Sequence, residues 1–250
     1  MEPLHMIRLV IDEIDLFECE RRLALAPKIP SAHHRSDFGY VAHCYLMGLF
    51  GEKAPRPFWL DVRRDTKAIQ VLGYAQCDAE TLKADAQTFA DPGIWSAVDW
   101  GQFASKPMPT KFAPGQRLGF AVSTIPSVCI PRSGRKRIDP YLRKTQLAPD
   151  GVQIDRFDVY QRWLYDGIDR AGGAKVLDSR VVRFSLDKMT RRTQITEEEK
   201  RRKVQRFFAP SVTLEGVLEV MDSEKFFMLL TRGIGRHKAF GAGMLRLKRA

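Results

Sequence analysis

The stretch that most restricts this chain is Gly233-Ile234-Gly235-Arg236-His237-Lys238-Ala239-Phe240-Gly241-Ala242-Gly243. Its four glycines let the backbone take positive φ and let a second backbone approach with no Cβ in the way. Ser223 to Thr231, before it, reads as a helix, and Met244 to Lys248, after it, as a strand. A dinucleotide fingerprint or a P-loop needs the reverse order, with glycines opening the helix that receives the phosphate. With Arg236, His237 and Lys238 presented outward, a basic loop between helix and strand reads as a platform for the backbone of a polyanion.

The charge agrees. The chain carries 41 Lys and Arg against 30 Asp and Glu, a formal net charge of +11, and domains this basic usually bind nucleic acid. The bland alternative is a surface that is only solubilised by its cations. Clustering argues against it: Arg132, Arg135, Lys136 and Arg137 form one group. Arg191, Arg192, Lys200, Arg201, Arg202, Lys203 and Arg206 form a second, and Arg232, Arg236, Lys238, Arg246, Lys248 and Arg249 a third. The cysteines Cys19, Cys44, Cys77 and Cys129 make no CxxC pair, which speaks against zinc and a disulfide scaffold and for a reducing cytoplasm. No signal-peptide core and no apolar run of membrane length is present, so no membrane partner is expected. Histidines and carboxylates show no ligand spacing, so neither metal nor cofactor is expected.

In chain order, Met6 to Ile11 reads as a strand and Asp15 to Leu25 as a helix ending before Pro27 and Pro30. Phe38 to Phe50 is a second helix, with Asp37 as a possible cap and Gly51 as its stop. It is apolar nearly all round, with Tyr40 and His43 neighbours on its surface. Pro57 to Arg63 and Ala68 to Ala75 read as a strand pair and Ala79 to Phe89 as a helix, and Gln116 to Ser123 as the strand that closes this first unit. A second unit follows: helix Asp155 to Ala171, strands Lys175 to Leu186 and Val212 to Met221, the helix before the glycine loop and the last strand. Between its strands lies Asp187 to Phe208, where Thr196-Glu197-Glu198-Glu199 looks like a helix start that then turns basic. That segment reads as a helical finger. The expected fold is α+β: two tandem ferredoxin-like (RRM-like) domains, with the basic finger inserted in the second. The expected boundaries are 1–130 and 155–250, joined by a basic loop and linker at 131–154, with finger 187–208 and glycine loop 233–243.

Two such units with a late glycine loop resemble the repeat-associated RNA-binding superfamily of CRISPR systems. Within it the chain is similar to the CasE family, endoribonucleases that cut the CRISPR repeat transcript into guide RNAs. The resemblance spans nearly the whole chain. It rests on Leu214 to Asp222 followed by Gly233 to Leu245, on Lys106-Pro107 with Pro114-Gly115-Gln116-Arg117-Leu118-Gly119-Phe120, on Gly134-Arg135-Lys136-Arg137, and on Trp163-Leu164. A long basic segment before the Phe38 helix and a long arginine-rich finger depart from the pattern and fit a divergent branch, such as the processing nucleases of type IV systems.

In CasE-like enzymes a tyrosine and a histidine three residues apart open the first long helix, and Tyr40-Val41-Ala42-His43 fits that pattern. The resemblance therefore implies His43 as general acid or base and Tyr40 as its partner. Histidine suits proton transfer near neutrality. Metal-free cleavage would use the ribose 2′-hydroxyl to displace the 5′-oxygen, leaving a 2′,3′-cyclic phosphate and a 5′-hydroxyl. His33, His34, Arg35 and Arg236 are rival catalytic residues, and arginines alone could stabilise the transition state. Arg132, Arg135, Lys136 and Arg137 with Arg191, Arg192, Arg201, Arg202 and Arg206 could clamp a repeat hairpin. Gly235, Arg236, His237, Lys238, Gly241 and Gly243 would hold phosphate. Expected partners are the CRISPR repeat RNA, or crRNA hairpin, and the other subunits of an effector complex. A non-catalytic subunit that caps a finished guide RNA is the competing reading.

Overall fold

A computed structural model describes residues 3–22, 38–63, 68–131, 136–192 and 204–250; for 63, 191, 192 and 204 only the backbone is described. The first unit comprises β1 (His5–Asp12), α1 (Glu13–Arg22), α2 (Phe38–Phe50), β2 (Phe58–Arg63), β3 (Ala68–Ala75), α3 (Ala79–Phe89), α4 (Pro92–Trp95) and β4 (Ala104–Pro107). The second comprises β5 (Arg117–Thr124), the small pair β6 (Val128–Cys129) and β7 (Arg137–Ile138), α5 (Pro140–Leu147), α6 (Arg156–Ala171), β8 (Ala174–Arg192), β9 (Val204–Val220), α7 (Ser223–Arg232), a 3-10 turn at Lys238–Phe240 and β10 (Leu245–Lys248). The sheet orders are β2-β3-β1-β4 and β10-β5-β9-β8, every neighbour antiparallel. In each sheet the first strand lies between the third and the fourth, which is the ferredoxin-like order, so the expected α+β tandem holds.

Period-two patterning builds the first sheet. Ile7, Leu9 and Ile11 of β1 are buried with Ile69 and Val71 of β3 beneath Val41, Tyr45, Leu46 and Leu49 of α2. Each such side chain contributes about 1.5–3 kcal/mol on burial. In the second unit Asp155 caps α6 by accepting from the Asp158 amide, and Gly172 ends it at φ 69°. Asp222 caps α7 through the Lys225 amide. Phe226, Phe227, Leu229 and Leu230 of α7 pack into a core with Tyr160, Leu164 and Ile168 of α6. Tyr74 of β3 enters that same core, and its hydroxyl donates to the Leu245 carbonyl of β10 at 2.8 Å. Arg246 lies 4.6 Å over the Trp59 ring. The two units are thus sealed to each other.

Three expectations change. The strand expected at Gln116–Ser123 is β5, but it pairs with β9 and β10 in the second sheet; β4 closes the first. A boundary at residue 130 would cut β5 from its own sheet. Backbone pairing is non-local, and element order alone fits either partner. The finger is not helical where it is described. β8 runs on to Arg192 and β9 starts at Val204, paired without interruption from Asp187↔Ala209 to Arg192↔Val204. Met189 and Ala209 turn inward to Ile125 and Ala242, and this burial keeps both strands extended. The acidic stretch 196–199 lies outside the described residues. Finally, α5 forms in the expected linker, opened by Pro140 and capped by Asp139 through the Tyr141 amide.

Candidate active site

The site forms where α2 of the first unit meets the glycine loop of the second. The loop leaves α7 at Gly233 and returns at Gly243, and the Ile234 amide donates to the Gly243 carbonyl at 2.8 Å, which pins the two ends together. That closure leaves no room for side chains. A Cβ on Gly233 would stand 2.6 Å from the Gly243 carbonyl and 2.8 Å from Pro57, and one on Gly243 would overlap the Ile234 carbonyl. Both have positive φ, 66° and 81°. Among the described residues His237 is the non-glycine residue with positive φ, at 60°, and it opens the 3-10 turn that carries Lys238, Ala239 and Phe240.

Phe240 is the contact to α2. Its ring centroid lies 5.4 Å from Tyr40 and 5.4 Å from His43, edge-on to the imidazole. Tyr40 and His43 are 6.2 Å apart on the helix. On the far side His237 lies 5.9 Å from Phe240 and 6.0 Å from Phe207 of β9. One aromatic chain thus links α2, the loop and the extended β8–β9 hairpin. Tyr40 is buried and His43 half-buried.

Burial pulls the His43 pKa below its ordinary value, and the Arg56 guanidinium adds to the fall. The imidazole is therefore neutral at pH 7, with a ring nitrogen able to accept a proton. Lys238 is also lowered, first by burial, then by Arg56 and Arg232. An anion arriving here would relieve the repulsion among these three cations. The site can therefore accept a proton at His43 and neutralise new negative charge beside it.

The structure brings Tyr40, His43, His237 and Lys238 together around Phe240, with Arg236 on the groove side of the same loop and Gly235, Gly241 and Gly243 shaping it. Gly235 closes on Trp163 and Gly241 on Phe58 and Leu60. Arg137, on β7, lines with Arg236 and Lys238 a groove of about 760 Å3. Lys136 is exposed beside it. Arg206 is exposed on β9, paired with Thr190, and Arg191 and Arg192 end β8. His33, His34, Arg35, Arg132, Arg135, Arg201 and Arg202 lie outside the described residues. Arg56 and Phe240 were not singled out from sequence. Phe240 had a signal, an aromatic residue inside a glycine loop; Arg56 had none. Among the described residues no group of three or more His, Cys, Asp or Glu could hold a metal ion, and no helix is long and apolar enough to cross a membrane.

A fold of two antiparallel ferredoxin-like units, with a glycine loop from the second closing on a histidine helix of the first, defines the class. A family model described as CRISPR associated protein matches residues 20–249, and the chain belongs to that family. Over 168 residues it is 29% identical to the CRISPR-associated endoribonuclease Cse3 of Thermus thermophilus, spanning 64% of this chain and 69% of that one. In fold it is similar to a Cse3 endoribonuclease bound to a 19-nucleotide RNA, with TM-score 0.62, 21% identity and coverage of 98% and 99%. It is also similar to Cas6e from Escherichia coli, with TM-score 0.53, 17% identity and coverage of 98% and 100%. The resemblance to CasE proteins drawn from the sequence therefore stands.

Proposed function

We propose that the chain is a metal-independent endoribonuclease that cuts CRISPR repeat transcripts at the 3′ base of the repeat hairpin and keeps the product as a subunit of an effector complex. The observation that carries this is the contact of Phe240 with both His43 and Tyr40. It sets a neutral imidazole against a loop of cations, the two things phosphodiester transesterification needs. The curated relative is a CRISPR endoribonuclease.

His43 takes the proton of the ribose 2′-hydroxyl, and the 2′-oxygen attacks the adjacent phosphorus. The bond to the 5′-oxygen breaks, leaving a 2′,3′-cyclic phosphate on one product and a 5′-hydroxyl on the other. Lys238, whose proton is loosened by burial and by neighbouring cations, supplies the proton for the leaving 5′-oxygen. Arg56 and Arg236 neutralise the phosphorane. Tyr40 orients the scissile ribose. The duplex is gripped by Arg191, Arg192 and Arg206 on the β8–β9 hairpin, with Arg137 and Lys136 at the opposite edge.

The test is incubation with repeat RNA in excess EDTA, with the product termini identified chemically. Cleavage to a cyclic phosphate supports the reading. Binding without cleavage would make the chain a non-catalytic cap on a guide RNA. Cleavage that needs added Mg²⁺ would overturn the mechanism.

A further inference from the structure

We propose that the groove beside the glycine loop is a second RNA site, holding the unpaired strand on the 3′ side of the cut. The inference rests on the endoribonuclease reading above and extends it past the reacting phosphate. The groove, of about 760 Å3, runs between the C-terminal half of α6 and the outer side of α7. Beyond Arg137, which borders the duplex at its edge, its cations are Arg170, Lys225, Arg232, Arg236 and Lys238, and its one carboxylate is Glu224. A trench with that balance concentrates a polyanion. Trp163 lines it, its Nε1 donating to the Ser127 carbonyl at 3.2 Å and its ring against Gly235. Cations along a groove with an aromatic ring in its wall suit single strands, whose bases stack without regard to sequence.

The geometry gives the direction. The glycine loop stands between the groove and the β8–β9 hairpin. On one side His237 meets Phe207 of β9; on the other Arg236 and Lys238 enter the groove wall. Phe240, in the same turn as Lys238, touches His43. A stem gripped by the hairpin presents the 3′ strand of its base at His43. The chain continuing past the cut then leaves on the groove side, entering at Lys238 and passing Arg236 and Arg232 toward Arg170 and Lys225.

The experiment measures affinity for repeat hairpins with a 2′-deoxy nucleotide before the scissile phosphate. The hairpin ends at the cut, or carries a 3′ flank of increasing length, or a 5′ flank of the same length. On the unaltered protein the 3′ flank should tighten binding about tenfold, then plateau, and steepen the salt dependence by about 0.7 per phosphate engaged. The pair Arg170→Gln and Lys225→Gln should remove most of that gain. It should leave affinity for the flankless hairpin, and its melting curve, unchanged. Equal loss on flanked and flankless RNA would place the stem in the groove and overturn the proposal, as would a gain from the 5′ flank alone or no gain from either. Cleavage of unmodified hairpin by the same protein reports on the endoribonuclease reading separately.

Discussion

The two units share one topology and differ in what fills the same connections. In the first, β2 and β3 are short, six and eight residues, and α3 leads to β4 through a segment where Trp95 and Trp100 stack at 4.0 Å. In the second, β8 and β9 run to 19 and 17 residues, and α7 leads to β10 through the glycine loop. The first unit contributes the group that can accept a proton, His43. The second contributes most of the cations and the tight loop that brings them to His43. On the proposed mechanism the base, His43, stands on the first unit, while the leaving-group acid Lys238 and most of the RNA-binding cations stand on the second, and they meet at Phe240, so removing His43 should leave RNA binding intact.

The largest expected effect tests that division directly. His43→Ala should slow single-turnover cleavage by about 100-fold or more, the usual scale for a positioned acid or base, with hairpin affinity nearly unchanged. Tyr40→Phe keeps the ring against Phe240 and should cost less. A His43→Ala protein that melts earlier yet cuts at the normal rate per folded molecule would make His43 a packing residue.

How much of this was legible follows from the same division. Tyr40 and His43 lie on a helix so apolar that patterning alone favours packing; only the match of spacing and order to a family lifted them out. The glycine loop and its cations were legible because Gly233, Gly235, Gly241 and Gly243 crowd one short stretch with Arg236 and Lys238 among them. Arg56 was not, because nothing local marks an arginine before Pro57, and its approach to His43 and Lys238 is created by tertiary packing. The extended hairpin was misread because Lys188 to Arg192 and Gln205 to Phe208 mix charged and apolar residues. Met189 and Ala209 take their inward face from a cluster with Ile125 and Ala242, residues distant in sequence, against which Phe240 also packs.

A second prediction compares glycines in the two units. Gly51, which ends α2, has φ 54° and open space around a would-be Cβ. Gly51→Ala should cost only the backbone penalty, about 1–2 kcal/mol, with site function intact. Gly243→Ala adds overlap with the Ile234 carbonyl, so the loop must open. Cleavage and RNA affinity should both fall by about tenfold or more, beside a larger drop in Tm. Equal effects from the two would show that the loop closure is dispensable.

A third and smaller effect concerns the hairpin. Reversing Arg191, Arg192 and Arg206 should lower the slope of log affinity against log salt by up to about one unit per lost phosphate contact. The cleavage rate at saturating protein should hold, since His43 and Lys238, the two groups proposed to move protons, are untouched. An unchanged slope would assign the hairpin to another partner surface.

The smallest and most discriminating effect is a shift along the pH axis. Burial, then Arg56, lowers the His43 pKa from its ordinary 6.5. The unfolded chain therefore binds the proton more readily than the folded one. Stability from this residue is complete above about 6.5 and is lost as pH falls through the folded pKa. Activity should follow the same sense, flat near neutrality with an acid limb below 6.5 where the imidazole protonates. Arg56→Gln removes the electrostatic part and leaves the burial part. The acid limb should then move up, toward but not reaching 6.5, while the rate above neutrality falls modestly because the phosphorane loses one cation. Tyr40→Phe should leave the limb in place. Were another group the base, Arg56→Gln would lower the plateau with the limb unmoved, and the proton chemistry would no longer belong to the first unit.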